Sequence, residues 1–210
     1  MATRGNLYIV SAPSGGGKTS LTRALIPRLA RHGITASISV SYTTRVPRPG
    51  EVHGEHYHFV DEASFVGMIE SRAFLEHAHV FGRRYGTGRS RTETLLAAGE
   101  DVILDIDWQG ARQVRAAIAD AVSIFILPPS VAELERRLRG RSQDSEETIA
   151  ARMDEAHQEL AHHGEYDYLV VNEQFEQALE ELAAICLQPR LRREPQEQRH
   201  APLLKALLAK

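Results

Sequence analysis

Short apolar runs alternate with longer segments in which apolar residues recur at helical spacing. The runs that predict strands are residues 7–10, 36–40, 102–106, 122–127 and 168–171. The segments that predict helices are residues 18–32, 109–119, 130–139, 146–163 and 174–187. Strands that are apolar throughout have no solvent-facing side, which is typical of a parallel sheet with helices on both faces. The pattern therefore predicts an α/β fold.

Three segments depart from this alternation. Residues 41–98 contain shorter polar and aromatic pieces broken by turn-forming residues, which predicts an inserted subdomain within a core formed by residues 1–40 and 99–187. The charged stretch around residues 139–150 predicts a mobile lid within that core. Residues 188–210 are basic and interrupted by proline, and we expect a partly ordered C-terminal tail whose short amphipathic end could mediate a homo-oligomer contact.

Composition narrows the classes of partner and compartment. The chain has 210 residues, 42% of them hydrophobic, which suffices for one sizeable core. Its 25 Lys and Arg against 28 Asp and Glu give a net charge of -3, which argues against binding to nucleic acid or to a membrane surface. The single cysteine, Cys186, excludes an internal disulfide framework. With no signal or spanning segment in the sequence, we expect a cytoplasmic protein.

The stretch "SAPSGGGKTS", residues 11–20, lies between the first predicted strand and the first predicted helix. Gly17, Lys18 and Thr19 match the end of the phosphate-loop pattern, while Ala12 stands at its leading glycine position. Such a loop turns backbone N–H groups toward a polyphosphate at a helix N-terminus. Lys18 would reach the β and γ phosphates, and the Thr19 hydroxyl would bind Mg²⁺. A flexible glycine turn would not need lysine and threonine at this spacing, so the loop predicts a nucleoside triphosphate ligand.

The inserted segment suggests where the γ-phosphoryl group goes. It brings together two arginines, two tyrosines, a carboxylate and hydroxyls, namely Ser41, Arg45, Arg48, Tyr57, Glu76, Tyr85 and Thr87. Together with "APSGGGKTS" and "ILDIDWQG" at residues 103–110, these residues closely resemble the guanylate kinase family over residues 5–187. The resemblance implies a P-loop NTPase-type parallel sheet flanked by helices, with an inserted GMP-binding subdomain and a mobile lid. It also implies phosphoryl transfer from MgATP to GMP, with Mg²⁺ as cofactor.

The resemblance assigns roles to individual positions. The expected ATP-binding residues are Ala12, Pro13, Ser14, Gly15, Gly16, Gly17, Lys18, Thr19, Ser20 and Asn172. The expected GMP-binding residues are Ser41, Arg45, Arg48, Tyr57, Glu76, Tyr85, Thr87 and Asp107. The expected catalytic residues are Lys18, Arg137, Arg141 and Arg152, and Thr19 and Asp105 would hold Mg²⁺, the latter through water.

Chemistry supports several of these roles. A guanidinium fork suits a phosphate dianion, which fits Arg45 and Arg48. A carboxylate such as Glu76 can accept hydrogen bonds from the N1–H and N2–H₂ edge of guanine, and adenine offers no such pair of donors. Asp105 and Asp107 end a strand and lie on the same face, so the division between magnesium and guanine stays open between them, and either could instead cap the next turn.

The spacing of the expected lid arginines favours a phosphate partner, although a solvent-exposed helix is the alternative. Arg137 and Arg141 lie at i, i+4 on a predicted helix, where like charges repel unless an anion lies between them. A phosphate partner would remove that repulsion, but the nearby acidic residues also allow a solvent-exposed, salt-bridged helix.

Two other functions remain open from sequence. The chain could be a non-catalytic guanylate-kinase-like module that binds proteins, although such a module would be expected to lose the intact "GGGKT" loop. It could also be a kinase of the same fold that acts on a different phosphorylated small molecule, which would not need Glu76, Thr87 and Asp107. A metal site at the histidines of residues 53–58 is a further, weaker possibility, since no cysteine accompanies them.

Overall fold

The computed structural model describes residues 4–80, 82–140 and 146–209. The strands are β1 (Leu7–Ser11), β2 (Ala36–Ile38), β3 (Tyr42–Thr43), β4 (His58–Phe59), β5 (Phe74–Val80), β6 (Arg83–Gly88), β7 (Asp101–Asp105), β8 (Val122–Leu127) and β9 (Tyr168–Val171). The helices are α1 (Lys18–Ala30), α2 (Glu62–Glu70), α3 (Arg89–Ala97), α4 (Trp108–Ala117), α5 (Val131–Arg139), α6 (Glu146–Leu160), α7 (Phe175–Leu191), α8 (Arg193–Arg199) and α9 (Ala201–Leu208).

The core is a five-stranded sheet in the order β2-β7-β1-β8-β9, with every neighbouring pair parallel. The sequence of strand β1 is apolar on both sides because helices cover both faces of the sheet. Tyr8 and Val10 pack against α1 and α7, whereas Leu7 and Ile9 pack against α3 and α4 on the other face. The α/β class predicted from the uninterrupted apolar runs is confirmed, and the predicted elements of the core differ from the observed ones mainly by a few residues at their ends.

A second sheet of four strands, in the order β4-β3-β6-β5, lies within residues 41–98. Strands β3 and β4 are only two residues long, and β6 pairs antiparallel with both β3 and β5. Helix α2 covers the sheet with the fully buried Phe65, whose ring lies 4.5 Å from that of Phe74. Helix α4 of the core packs beside β5. The Gln113 side chain of α4 forms two hydrogen bonds with the His77 backbone, donating to its carbonyl at 2.7 Å and accepting from its N–H at 3.1 Å. This pairing ties the second sheet to the core.

The C-terminal segment is more ordered than the sequence suggested. Helix α7 runs through the expected boundary at residue 188 to Leu191, and α8 and α9 follow it. The Arg190 guanidinium binds both carboxylate oxygens of Asp101 at 2.7 and 2.8 Å, and Asp101 is fully buried at the start of β7. A buried carboxylate requires a partner of this kind, so the core sheet holds the start of the expected tail in place. None of the helices in the described part of the chain has the length and hydrophobicity of a membrane span.

Candidate active site

The phosphate loop connects the carboxyl end of β1 to the first turn of α1, where parallel α/β sheets bind ligands. Gly15 and Gly17 have φ values of 87° and 94°, in the left-handed region that favours glycine. A Cβ atom on Gly17 would lie 2.2 Å from the Nδ2 atom of Asn172, which donates a hydrogen bond to the Gly16 carbonyl at 2.9 Å. Both the backbone conformation and the close approach of Asn172 therefore require glycine at position 17.

Lys18 is the central cation of this loop. Its Nζ lies 2.8 Å from Asp105 Oδ1 and donates to the Ile106 carbonyl at 3.1 Å. Burial is the largest influence on Lys18 and opposes its charge, but Asp105, with smaller contributions from Glu159 and Tyr57, raises the pKa of the ammonium above its ordinary value. Asp105 thus supplies the negative charge that a phosphate would supply, and it holds the lysine charged and directed into the site.

The Thr19 hydroxyl lies 3.4 Å from Asp105 Oδ2, so a hydroxyl and a carboxylate oxygen adjoin the phosphate loop. Oxygen ligands of this type fit Mg²⁺, which commonly keeps waters and takes one or two protein oxygens together with phosphate. Among the residues that the structure describes, no group of three or more His, Cys, Asp and Glu side chains could form a metal cage. His53 and His56 instead accept hydrogen bonds from the backbone N–H groups of Phe59 and Val52.

A cavity of about 400 Å³ opens on the α5 side of the loop. Its lining residues are Gly15, Gly17, Ser20, Arg136, Arg137, Gly140, Asn172, Glu173 and Phe175. Arg137 donates from Nε to Glu133 at 2.7 Å and from Nη2 to the Asn172 carbonyl at 3.0 Å. Its Nη1 atom is buried without a hydrogen-bond partner, close to Gly17. A buried N–H donor without a partner is costly, which indicates that a ligand acceptor belongs beside it.

The structure does not place the other two predicted catalytic arginines, Arg141 and Arg152, at this cavity. Arg141 lies outside the described residues. Arg152 lies on α6, which packs against α5, and it is not among the residues that line the three described cavities.

A second cavity, of about 360 Å³, lies between the phosphate loop and the second sheet. Its lining includes Thr19, Ser41, Arg45, Arg48, Glu51, Tyr57, Tyr85 and Asp105. Arg45 binds Glu51 at 2.8 Å and lies over the Tyr57 ring, with its guanidinium carbon 5.4 Å from the centroid. The Arg45 hydrogen bond lowers the pKa of Glu51 to about 2. The Arg48 backbone N–H also donates to Glu51, at 2.7 Å, so one carboxylate organises the loop that carries both arginines.

A third cavity, of about 210 Å³, adjoins the second one, since Ser41, Tyr57, Tyr85 and Asp105 line both. Glu76 lies in it and is only 3% exposed, and its Oε1 accepts a 2.6 Å hydrogen bond from the Thr87 hydroxyl. Burial raises the pKa of the Glu76 carboxyl to about 7, against the opposing effect of Thr87. A Cβ on Gly110 would lie 2.5 Å from Glu76 Oε2, so α4 approaches this carboxylate closely.

The two aspartates that sequence left unresolved both line the cavity of Glu76, but their partners differ. Asp105 binds Lys18 and lies near Thr19 of the phosphate loop. Asp107 lines the cavity of Glu76, and its Oδ1 also accepts from the Gly110 N–H at 2.9 Å, which caps α4. Capping and a place in the pocket are therefore compatible for Asp107.

Sequence reasoning missed three residues of this site. Glu51 orients Arg45, Gln113 clamps the strand that carries Glu76, and Glu159 accepts a 2.9 Å hydrogen bond from the Ser14 N–H. Glu51 lies three residues after Arg48, and Gln113 lies three residues after the end of the "ILDIDWQG" stretch, so their proximity in sequence was a usable signal. Glu159 sits on α6, 145 residues from Ser14, and nothing in the local sequence predicts that contact.

The parallel sheet, the glycine loop and the adjoining arginine and carboxylate cavities define a P-loop nucleotide-binding protein with a second pocket beside the loop. The family model described as guanylate kinase matches residues 4–188. The chain belongs to the guanylate kinase family.

Individual relatives agree over almost the whole chain. Proteins named guanylate kinase from Salmonella choleraesuis (strain SC-B67) and Escherichia coli (strain K12) are each 58% identical over 206 residues, covering 98% of this chain and 99% of each relative. The crystal structure of guanylate kinase from Anaplasma phagocytophilum is 33% identical, with a TM-score of 0.75, and the match covers 91% of this chain and 89% of that one.

Proposed function

We propose that the protein is an ATP:GMP phosphotransferase that produces ADP and GDP. The observation that carries this proposal is the buried Glu76 carboxylate, held by Thr87 in a cavity that Lys18 of the phosphate loop also lines. Membership of the guanylate kinase family supports the same reaction.

GMP would span the two connected cavities. Arg45, Arg48, Tyr57 and Tyr85 would hold its phosphate, because they supply guanidinium and hydroxyl donors around one space. The guanine would lie in the third cavity, where ionised Glu76 can accept from N1–H and N2–H₂. Ser41, Thr87 and Asp107 would complete that pocket. The shared lining of the two cavities supports a single ligand with a phosphate at one end and a base at the other.

ATP would bind on the other side of the loop. The amides of residues 13–19 would cradle its phosphates, with Asn172 beside Gly16 and with Ala12 and Ser20 at either end of the loop. The unpartnered Nη1 of Arg137 supports a role for this arginine toward phosphate oxygen. Arg141 and Arg152 remain predictions as lid arginines.

Catalysis in this arrangement would depend mainly on positive charge beside the transferred phosphoryl group. Lys18 and Arg137 would stabilise the charge on the phosphoryl oxygens during in-line transfer. Thr19 and Asp105 would hold Mg²⁺, which neutralises phosphate charge when bound. The ionised phosphate of GMP is already a nucleophile, so no separate general base is required. Location in the cytoplasm and self-association through the C-terminal segment remain predictions.

The test is ADP formation from MgATP with GMP, dGMP, AMP, CMP and UMP in parallel, with a Lys18→Ala variant as control. We expect turnover with the guanine nucleotides that the variant loses. A non-catalytic module would give no turnover and would not bind ATP tightly. A kinase for another acceptor would bind ATP but would transfer phosphate to none of these nucleotides. Its transfer to its own acceptor would survive the Glu76→Gln substitution.

A further inference from the structure

Glu159 is a carboxylate in contact with the phosphate loop that the proposed reaction does not use. It lies in the last turn of α6, and its Oε2 accepts a 2.9 Å hydrogen bond from the backbone N–H of Ser14. Its side chain also lines the cavity that contains Lys18, Glu76 and Asp107. A helix outside the loop therefore places an anion on one of the loop amides.

The surroundings of Glu159 make this an expensive place for a negative charge. Burial raises the pKa of its carboxyl, and the carboxylates of Asp107 and Glu155 act in the same direction, while the Ser14 N–H and Lys18 oppose them. Lys18 is already paired with Asp105 at 2.8 Å. The Ser14 amide is thus a principal attraction that holds Glu159 in place.

The same amide has a second use when a nucleotide binds. Loop amides of this type bind phosphate oxygens, and one N–H cannot donate well to a carboxylate and a phosphate at the same time. The phosphates would also bring several negative charges close to Glu159, whose carboxylate already lies near those of Asp107 and Glu155, and like charges repel. Loading of the loop should therefore expel this carboxylate.

We propose that Glu159 is a positioning residue that acts as an internal anion: it occupies the Ser14 amide while the loop is empty, and nucleotide phosphate displaces it. Because Glu159 belongs to α6, its displacement couples occupancy of the loop to the position of the end of that helix. The inference rests on the proposed function to the extent that the displacing ligand is a nucleoside polyphosphate.

The test compares ADP binding to the full-length protein and to two variants by isothermal titration calorimetry with Mg²⁺ and no GMP. Glu159→Gln keeps the size of the side chain and an acceptor oxygen but removes the charge. We expect it to bind ADP about three- to tenfold more tightly than the unchanged protein, because a repulsive charge has been removed. Asp154→Asn removes a charge from the exposed face of the same helix, and we expect its ADP affinity to match that of the unchanged protein.

A crystal structure of the ADP complex provides the second measurement. We expect a phosphate oxygen on the Ser14 N–H and Glu159 out of contact with it. The inference is overturned if Glu159→Gln binds ADP with unchanged or weaker affinity, or if Glu159 still accepts from Ser14 in the complex. An altered KM for GMP with unchanged ADP affinity would also overturn it, because Glu159 would then act on the acceptor. Failure of the proposed function looks different: the unchanged protein would not bind ADP, or would bind it without transferring phosphate to GMP.

Discussion

The base pocket and the phosphate sites of this protein are built in opposite ways. In the base pocket, Glu76 is buried and held by a neutral hydroxyl, with no arginine or lysine in salt-bridge contact within the described residues. In the phosphate sites, two of the cations are already paired with carboxylates of the chain itself, since Lys18 binds Asp105 and Arg45 binds Glu51.

The difference follows from the charge of the two ends of the ligand. Guanine is neutral, so the carboxylate that recognises it, Glu76, can be held in place without a cation. Its burial opposes the negative charge and raises the pKa of the carboxyl. Phosphates are anionic, so their sites need concentrated positive charge that would be unpaired and costly in the empty protein. Internal carboxylates remove that cost, and the predictions below separate those that assist binding from those that compete with it.

The largest effect is expected at Lys18. Lys18→Ala should lower kcat by about 100- to 1,000-fold or more, because it removes a fixed positive charge beside the transferring group. Binding of GMP alone, measured by titration without ATP, should change far less, since the acceptor is held mainly by the second sheet. Equal losses of GMP affinity and of kcat would contradict the separation of the two regions.

Glu76→Gln should lower kcat/KM for GMP by about 10- to 100-fold, because the amide replaces one acceptor oxygen by a donor that faces the donors of guanine. The KM for MgATP should stay close to its original value. Thr87→Ser is the matched control, since it keeps the hydroxyl that donates to Glu76 and should retain most of the activity. Steady-state kinetics with GMP varied at saturating MgATP measures both. An unchanged kcat/KM in Glu76→Gln would remove this residue from guanine recognition.

The pH dependence of GMP binding should report the same carboxyl. With a pKa of about 7, the ionised fraction of Glu76 falls about tenfold between pH 8 and pH 6, so the KM for GMP should rise about tenfold. The raised pKa also means that the folded protein holds this proton more tightly than the unfolded chain. The contribution of Glu76 to the free energy of unfolding therefore falls as pH rises from about 4.5 through about 7.

The control is the Glu76→Gln variant, whose KM for GMP is measured over the same pH range. In this variant the ionisation of GMP can still change the KM, but the Glu76 carboxyl cannot. Its profile should be flatter than that of the unchanged protein. Two parallel profiles would assign the pH dependence to GMP or to another group.

The smallest effect is expected at Glu51. Glu51→Gln should raise the KM for GMP about two- to fivefold, because a neutral amide orients the Arg45 fork and the Arg48 backbone less firmly. This direction is opposite to the tighter nucleotide binding expected for Glu159→Gln. A lower KM in Glu51→Gln would show that this carboxylate competes with the GMP phosphate instead of supporting its receptor.

Much of the fold was predictable because the parallel strands are buried on both faces. Strand β1 has no polar position before Ser11, and the helices around it carry apolar residues at helical spacing. The second sheet was predicted only as an inserted region, since β3 and β4 are two residues long and leave no periodic pattern. Helices α8 and α9 were missed because the three prolines and many charges of residues 188–210 are typical of a partly ordered tail.

The residues of the site also differ in how far the sequence predicted them. Lys18, Arg45 and Glu76 could be predicted as site residues because they lie in motifs that resemble those of the guanylate kinase family, and all three line the connected cavities. The contact of Glu159 with Ser14 depends on how α6 lies across the loop, which is a matter of tertiary packing. Residues that contact other protein groups across the fold, such as Glu159, were therefore harder to predict than those that lie in the motifs.

The ion pair between Arg190 and Asp101 also bears on how the protein is made. Asp101 leaves the ribosome 89 residues before its partner, although it begins β7, which pairs with the central strand β1 of the core sheet. Until Arg190 emerges, burying β7 would enclose a carboxylate that accepts hydrogen bonds from Asn6 but lacks its cation, which is unfavourable. Completion of the nucleotide-binding core should therefore wait until nearly the whole chain has been synthesised, and a nascent chain stalled before residue 190 should remain open to proteolysis.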